Sequence, residues 1–271
     1  MRTDAASAGV FEIAYAEFMA GTMNGKVVLV TGGSAGIGKA AAELFAQAGA
    51  SVVIAARGAE RGRQTEQEIQ AAGGQVLFVQ TDVSEANQVQ SLIARTVEAF
   101  GRLDCAFNNA AGLGKFCRAG DFTEIDFDAE VSANLKSVWL CMKYELEQMQ
   151  KQEPHGGVIV NTSSVNGLGG ARLGALYSMS KAGVLALTKS AAQEYAGMES
   201  GSTPWLLAPS IPRCCRAPSL RPWVGIGQRL RKLSRDMLPT FQPDGSAGPR
   251  KRPRRHCGYA AMPPPMSPGN P

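Results

Sequence analysis

The stretch KVVLVTGGSAGIGKAAAELF, residues 26–45, decides the fold of this chain. It joins a run of apolar, largely β-branched residues to an amphipathic helical pattern through a loop that contains Gly32, Gly36 and Gly38. Glycines let a loop backbone approach an anion closely, and the N-terminus of the following helix offers free N–H groups and a positive dipole. The stretch therefore predicts a strand, a phosphate-binding loop and a helix; the alternative is a tight glycine turn without a ligand.

Outward from this stretch, short apolar runs alternate with amphipathic helical patterns as far as residue 197. Further strands are predicted at SVVIAAR, QVLFVQTDV, LDCAFNNAA and GVIVNTSS. The helices between and after them include segments at about 84–100, at about 127–150 and from Tyr177 onward. Such alternation implies right-handed βαβ crossovers and a parallel sheet that is covered on both faces. The predicted fold class is α/β, a Rossmann-like doubly wound parallel sheet.

The residues that follow the second strand bear on which dinucleotide would bind. A carboxylate there bonds the ribose 2′-OH of NAD, whereas an Arg accommodates the 2′-phosphate of NADP. The sequence has Ala56 and Arg57 at this point and no carboxylate. This favours NADP as the cofactor, with NAD as the alternative. Arg61 and Arg63 follow closely, so Arg57 can also be interpreted as one of several solvated surface charges.

Acid–base chemistry is indicated by Tyr177 and Lys181, which lie four residues apart on a predicted helix and so share one face. A free tyrosine has a pKa of about 10, so it needs a neighbouring cation to exchange protons near neutral pH. The Lys181 ammonium is that cation. Ser164 follows the fifth strand, where its hydroxyl can polarise a substrate carbonyl. This Tyr-Lys spacing also occurs by chance on helix surfaces, so the prediction depends on the whole set of motifs.

In their order along the chain, TGGSAGIG, TDV, NNA, SANLKSVW, IVNTSS and YSMSK resemble the motifs of the short-chain dehydrogenase/reductase family over residues 24–197. The resemblance implies hydride transfer between NADP(H) and a small-molecule alcohol or carbonyl substrate. It also implies a homo-oligomer for the intact family fold. Steroid, sugar, acyl-chain and xenobiotic carbonyls all remain open as substrates.

The resemblance also implies roles for individual residues. Tyr177 is the implied acid–base group, and Lys181 lowers its pKa and binds the nicotinamide ribose. Ser164 orients the carbonyl, and Asn134 holds a water in a proton relay to Lys181. The implied cofactor-binding residues, besides Tyr177 and Lys181, are Gly32, Ser34, Gly36, Ile37, Gly38, Arg57, Asp82, Val83, Asn109 and Ala110. The family's NNAG motif is NNAA here, and the Ala111 methyl can crowd the backbone beside the cofactor.

Composition narrows the function classes. The chain is 44% hydrophobic and 19% charged, and no apolar run approaches the ~20 residues of a membrane span, which predicts a soluble protein without a membrane partner. Asp4, Glu12 and Glu17 interrupt the first 22 residues, so no secretory signal is predicted and we expect a cytoplasmic protein. Residues 1–22 are interpreted as an extension upstream of a start at Met23. The six cysteines lack metal-ligand spacing, and no metal is expected.

The composition changes after residue 197. Residues 198–271 carry 12 Lys or Arg against 3 Asp or Glu, a net charge of +9, whereas the first 197 residues carry −4. Of the 15 prolines, 14 lie in this last segment. The chain therefore divides into the extension 1–22, the dinucleotide-binding domain 23–197 and the tail 198–271.

The genetic code offers an explanation for the tail. Residues 201–206, GSTPWL, can be encoded by bases that spell V-N-A-V-A in the adjacent reading frame, and residues 207–208 then allow P-G. These letters match the sixth strand of the family. We therefore interpret residues 198–271 as an out-of-frame translation, with the sixth and seventh strands not encoded in frame and the tail disordered.

Two alternatives to an active oxidoreductase stay open at this stage. The first is an inactive frameshifted product or a sequencing error. The second is a nucleic-acid-binding protein that uses the basic segment PRKRPRRH, residues 249–256, although out-of-frame translation explains that segment too and we expect no nucleic-acid partner. Loss of the sixth strand would leave the fifth strand, GVIVNTSS, as a bare apolar edge. The chain is then expected to be poorly soluble or protease-sensitive after about residue 197, with little or no activity.

Overall fold

Strands and helices alternate along the chain in the computed structural model, which describes residues 21–195 and 206–210. The strands are β1 (Val27–Thr31), β2 (Ser51–Ala56), β3 (Gln75–Gln80), β4 (Cys105–Asn108), β5 (Val158–Thr162) and β6 (Leu206–Ser210). The helices are α1 (Gly36–Gln47), α2 (Ala59–Ala71), α3 (Ala86–Phe100), α4 (Glu124–Val131), α5 (Ser137–Lys151), α6 (Asn166–Gly169) and α7 (Ala175–Tyr195), with a 3₁₀ turn at Ala119–Asp121. The predictions made for residues 1–20, 196–205 and 211–271 lie outside the described residues.

The six strands form one parallel sheet in the order β3-β2-β1-β4-β5-β6. The chain builds outward from β1 to β3 and then crosses to the other side of β1 to place β4. The strand order thus reverses between β1 and β4, and ligands of such sheets bind in the crevice at the carboxyl ends of these two strands. The predicted Rossmann-like α/β fold is confirmed.

Burial explains why these runs are strands of a covered sheet. All five residues of β1 are buried, as are the four central residues of β2. A parallel strand with helices on both faces has no solvent side, so apolar residues follow one another without alternation. The main core cluster joins the sheet to α3, α5 and α7, through residues such as Leu29, Leu92, Met149, Ile159 and Val184.

The strand β6 corrects one expectation. Its residues pair in parallel with β5, from Val158 opposite Leu206 to Thr162 opposite Ser210. A bare β5 edge, expected from the sequence, is therefore wrong. The ladder consists of backbone groups, so a segment of unusual composition can still satisfy the edge of β5. Pro209 is tolerated because proline occurs on strands at the edge of a sheet, and β6 is the outermost strand that the structure describes.

A single helix was predicted at about 127–150, and the structure has a longer helical run with an irregularity inside it. The run begins at Glu124 because Thr123 and Asp126 form a capping box. Between α4 and α5, Ser132–Lys136 form a π-helical turn. Such turns insert one residue into the helix and occur frequently at functional sites. This one contains Asn134, which the family resemblance places in the site.

Candidate active site

The glycine loop between β1 and α1 leaves no room for side chains at two of its glycines. A Cβ atom at Gly38 would overlap the carbonyl oxygen of Gly32, and one at Gly32 would stand 3.0 Å from the Cα of Ala110. Gly36, in contrast, has a φ of +54° and no heavy atom within 4 Å of where its Cβ would be. The loop is therefore packed tightly against the chain after β4 and is open at Gly36. These features fit the backbone approach that a dinucleotide pyrophosphate requires.

The first turn of α1 offers its N–H groups to the same opening. The residue before the helix is Ala35, which has no side chain to cap those groups, and no acidic residue stands in the first turn. Ser34 is half-buried and Ile37 is exposed, so both lie at the surface of the loop. Uncapped N–H groups and an unopposed helix dipole suit an anionic ligand.

Thr31, at the end of β1, connects this loop by hydrogen bonds to the chain after β4. Its hydroxyl oxygen accepts hydrogen bonds from the backbone N–H groups of Asn109 (3.0 Å) and Ala110 (3.1 Å). The sequence prediction included Asn109 and Ala110 but missed Thr31. The sequence did contain a signal for Thr31: it is the one residue with a hydroxyl group in the buried strand VVLVT, and it stands directly before the glycine loop.

The adenosine side of the predicted site lies at the ends of β2 and β3. Arg57 is exposed, and its carbonyl oxygen accepts a bond from Gln80 Nε2 at 3.0 Å. Asp82 Oδ1 accepts bonds from the Ser84 hydroxyl at 2.7 Å and from the Ser84 N–H at 3.0 Å. The Ser84 hydroxyl bond holds the pKa of Asp82 below its ordinary value, and the nearby charge of Arg57 adds to this. Val83 is half-buried beside them.

On the other side of the crevice, α7 carries Tyr177 and Lys181. Lys181 is only 1% exposed; its Nζ donates to the carbonyl oxygen of Thr162 at 3.1 Å and lies 5.8 Å from the centre of the Tyr177 ring. Burial lowers the pKa of Lys181 to about 8, against the opposing influence of the Glu130 charge. A cation that is shielded from water acts more strongly on a neighbouring phenol than one at the surface.

Ser164 lies at the carboxyl end of β5, facing the same crevice edge as the start of α7. Its side chain is buried, and its Oγ accepts a bond from the N–H of Asn166 at 3.2 Å. The preceding Ser163 donates to the carbonyl oxygen of Lys181 at 2.8 Å. This bond ties the end of β5 to the middle of α7 and fixes Ser164 relative to Lys181.

The chain just before Tyr177 is held in an unusual conformation. Leu173 has a φ of +64°, a left-handed value that costs a non-glycine residue roughly 1–2 kcal/mol. Its carbonyl oxygen accepts a bond from the N–H of Cys117 at 2.9 Å, so the loop after β4 stabilises this turn. Phe116 packs beside Gly174 in the same contact. The two loops that border the site are thus joined directly.

Asn134 is completely buried in the π-helical turn. Its Oδ1 accepts from the N–H of Gly112 and its Nδ2 donates to the carbonyl oxygen of Gly112, both at 2.9 Å. The Nδ2 also donates to Glu130 Oε1 at 2.6 Å. The side chain therefore anchors the loop after β4 to the helix. That Asn134 holds a water in a proton relay stays a prediction.

A second buried polar group underlies the site. Glu145 is fully buried on α5; its Oε2 accepts from Asn108 Nδ2 at 2.9 Å, and the same amide donates to Asn161 Oδ1 at 3.0 Å. Burial raises the pKa of Glu145 to about 8. Asn161 in turn donates to the Thr188 hydroxyl at 3.0 Å. The network links β4 and β5 to the helices that cover them.

The described part of the chain has neither a cluster of metal ligands nor a helix that could span a membrane. Within residues 21–195 and 206–210, no group of three or more His, Cys, Asp or Glu side chains could hold a metal ion. Over the same residues, no helix has the length and apolar character needed to cross a bilayer.

Comparison with known proteins identifies the family and the fold of the chain. A family model described as short chain dehydrogenase matches residues 26–199. The chain belongs to the short chain dehydrogenase family. It is 45% identical over 171 residues to an uncharacterized oxidoreductase of Thermotoga maritima. The aligned residues make up 63% of this chain and 66% of that protein. It is 40% identical to a 3beta-hydroxysteroid dehydrogenase of Mediterraneibacter gnavus, over 66% of this chain and 64% of that one.

A solved relative has a similar fold. The structure of a short chain dehydrogenase from Mycobacterium smegmatis superposes with a TM-score of 0.62 at 39% identity, covering 64% of this chain and 72% of that protein. This chain spans slightly less than two thirds of the length of the curated relatives named above.

Proposed function

We propose that this short chain dehydrogenase transfers a hydride between NADP(H) and a small-molecule alcohol or carbonyl compound. The observation that carries the proposal is the burial of Lys181 next to Tyr177, on the crevice edge where Ser164 also lies. The glycine loop supports it from the opposite side, because its backbone is open at Gly36 where a pyrophosphate would approach. A hydroxysteroid dehydrogenase among the relatives is consistent with a secondary alcohol as substrate.

Each of the three side chains has a defined part in the reaction. The Ser164 hydroxyl donates a hydrogen bond to the substrate carbonyl oxygen and polarises it. The Tyr177 phenol gives its proton to that oxygen during reduction and removes the hydroxyl proton during oxidation. The Lys181 ammonium stabilises the phenolate that this transfer leaves behind. Bound NADP(H) supplies or accepts the hydride.

The preference for NADP rests on Arg57 and on the lack of a carboxylate at residue 56. Arg57 is exposed at the end of β2, where it can meet a 2′-phosphate. The Asp82 carboxylate lies near enough for the Arg57 charge to influence its pKa, and its own oxygen is bonded to Ser84. The family resemblance implies that Asp82 contacts the adenine, which leaves Arg57 to meet the 2′-phosphate.

Tyr177→Phe, made in the chain with the frame restored after residue 197, tests the proposal. The variant should bind NADPH largely as its parent does, because the glycine loop is unchanged, but carbonyl reduction should fall by at least about 10²-fold because the proton donor is gone. NADPH binding is measured by fluorescence and turnover by loss of NADPH absorbance with a panel of cyclic and linear ketones. Turnover of Tyr177→Phe at the parent rate would remove Tyr177 from the mechanism.

A further inference from the structure

One buried carboxylate next to the site has no part in the mechanism above. Glu130 lies in the last turn of α4 and is 4% exposed. Glu124 and Asp128 on the same helix are exposed, and Asp126 is bonded to Thr123 and Lys115 near the surface. Burying an ionisable group is costly unless nearby groups satisfy it, so the surroundings of Glu130 should indicate what it does.

Glu130 joins the two elements that carry the site. Its Oε1 accepts hydrogen bonds from Asn134 Nδ2 at 2.6 Å and from the Ser180 hydroxyl at 2.8 Å. Asn134 stands in the π-helical turn, and Ser180 directly precedes Lys181 on α7. One carboxylate oxygen thus fixes the side chain of Asn134 and the helical turn from which Lys181 projects.

The loop after β4 lies directly over this carboxylate. A Cβ atom at Gly114 would overlap Glu130 Oε2, and two residues earlier Gly112 makes its paired hydrogen bonds with Asn134. A side chain at residue 114 would therefore have to displace the Glu130 carboxylate from its present position. The loop that borders the substrate side of the site is therefore packed onto Glu130 as well as onto Asn134.

Glu130 also acts on Lys181 through its charge. Among the described residues, the elements packed against α7 are α4, the π-helical turn, α6, β5 and β6, and α6, β5 and β6 contain no ionisable side chain. The other ionisable groups on α4 and the turn lie nearer the surface, namely Glu124, Asp126, Asp128 and Lys136. Burial lowers the pKa of Lys181, and the Glu130 charge is the influence that opposes it.

We propose that Glu130 is a positioning residue for the reaction, which holds Asn134 and the Ser180 turn in place and keeps the buried Lys181 in its charged form. The inference rests on the proposed function, in which the Lys181 ammonium stabilises the Tyr177 phenolate. A purely structural Glu130 would hold the same hydrogen bonds without influencing the charge of Lys181. Titration of Lys181 separates the two roles.

The experiment compares Glu130→Gln with Ser180→Ala in the full 271-residue chain. Glutamine keeps an acceptor oxygen for Asn134 and Ser180 but has no charge, whereas Ser180→Ala removes the hydroxyl that bonds Glu130 and the Tyr177 carbonyl oxygen and leaves the charge. Lysine side chains are labelled with ¹³C at Cε, and the Lys181 signal is identified by its loss in Lys181→Met. In Glu130→Gln, Lys181 should titrate at lower pH than in the parent. In Ser180→Ala it should titrate as in the parent.

An unchanged Lys181 titration in folded Glu130→Gln would overturn the proposal. If that variant does not fold, Lys181 is titrated in Glu130→Asp, whose shorter side chain keeps the charge while changing the hydrogen bonds to Asn134 and Ser180. Lys181 should then titrate as in the parent, and a titration at lower pH would overturn the proposal. Turnover against pH, measured with the frame restored after residue 197, separates the two hypotheses: a shifted Lys181 titration in a restored chain without turnover supports Glu130 coupling and counts against the proposed function.

Discussion

At the scale of single residues, Lys181 and Glu145 show how the same burial has different consequences. Loss of water lowers the pKa of Lys181 to about 8 and raises that of Glu145 to about 8, since the charged form is disfavoured in both. The charged form of Lys181 is stabilised by a hydrogen bond to the Thr162 carbonyl oxygen at 3.1 Å and by the charge of Glu130. The Glu145 carboxyl accepts one hydrogen bond, from the side-chain amide of Asn108. Near neutral pH, Lys181 is therefore charged and Glu145 is neutral.

This difference predicts how stability varies with pH. Folded Glu145 keeps its proton up to about pH 8, whereas the unfolded chain releases it near the ordinary value of 4.5. Between these values the folded state binds more protons, so the free energy of unfolding falls as pH rises, by at most about 1.4 kcal/mol per pH unit. Glu145→Gln should remove this slope. Urea unfolding of both proteins from pH 5 to 7.5 measures it.

The control for that experiment is Glu147→Gln, two residues along α5. Glu147 is exposed and paired with Lys151, and this pairing lowers its pKa. Its replacement makes the same chemical change, from a carboxyl to an amide, but should leave the slope between pH 5 and 7.5 as in the parent. Parallel curves for the parent and Glu145→Gln would show that Glu145 is ionised in the folded state.

Cofactor choice is also decided by single residues. In Ala56→Asp, a carboxylate at the end of β2 would repel a 2′-phosphate and accept a bond from a free 2′-OH, so preference should move from NADP toward NAD by about tenfold or more. The measurement is the ratio of kcat/KM for the two cofactors. Arg61→Ala, on the same edge of the molecule, should leave that ratio unchanged. An unaltered ratio in Ala56→Asp would make Arg57 a surface charge without a part in binding.

Sequence patterns predicted Ser164, Tyr177 and Lys181 because these residues lie in short motifs with fixed spacing. Glu130 could not be predicted in this way. A carboxylate on an amphipathic helix is usually solvated, and the partner that keeps this one buried, Ser180, is 50 residues away in the chain. A contact of that range depends on how two helices meet across the sheet, which periodicity does not specify.

At the scale of elements, the glycine loop was predicted well because its constraint is local. Its glycines are required for two different reasons: Gly38 for close packing against Gly32, and Gly36 for a left-handed φ at an open position. The π-helical turn at Ser132–Lys136 was not predicted. The helical run Glu124–Lys151 has 28 residues, and one extra residue in one of its turns changes the spacing of its apolar residues too little for the sequence pattern to indicate it.

The two glycines should respond differently to alanine. Gly38→Ala forces the loop apart and should cost about 1–3 kcal/mol of stability as well as cofactor affinity. Gly36→Ala meets no protein atom and should cost about 1 kcal/mol, yet its methyl group stands where the cofactor would approach, so affinity should fall by about tenfold or more. Unfolding curves and NADPH titrations test both variants. Gly120→Ala, which also has open space around it, is the control that should bind normally.

Equal affinity of Gly36→Ala and the parent for NADPH would mean that the opening at Gly36 is not the pyrophosphate site. Normal stability of Gly38→Ala would contradict the packing between Gly38 and Gly32. The two outcomes are independent, since one concerns a ligand and the other the loop alone.

At the scale of the whole molecule, the sheet combines two kinds of sequence. Strands β1 to β5 come from residues with family motifs, whereas β6 comes from the segment whose composition changes after residue 197. The sequence could not predict β6, because LLAPS contains a proline and no alternation. Its strand conformation follows from the neighbouring β5 edge, where the backbone groups of Val158–Thr162 need partners.

The last prediction concerns the origin of that segment. Residues 201–208 can be encoded by bases that spell V-N-A-V-A-P-G in the adjacent frame, and β6 at Leu206–Ser210 overlaps their end. We therefore expect the nucleotide sequence to encode the family's sixth strand one frame away. A gene with the frame restored at the codons for Gly197 and Met198 should yield a chain that reduces ketones with NADPH at rates well above those of the 271-residue chain, because the segment that follows α7 then supplies the family's closing turn and substrate loop. Both chains are assayed side by side, with Tyr177→Phe in each as the blank. An adjacent frame without V-N-A-V-A-P-G would refute the frameshift, and equal turnover by the two chains would refute the expectation that activity depends on the restored segment.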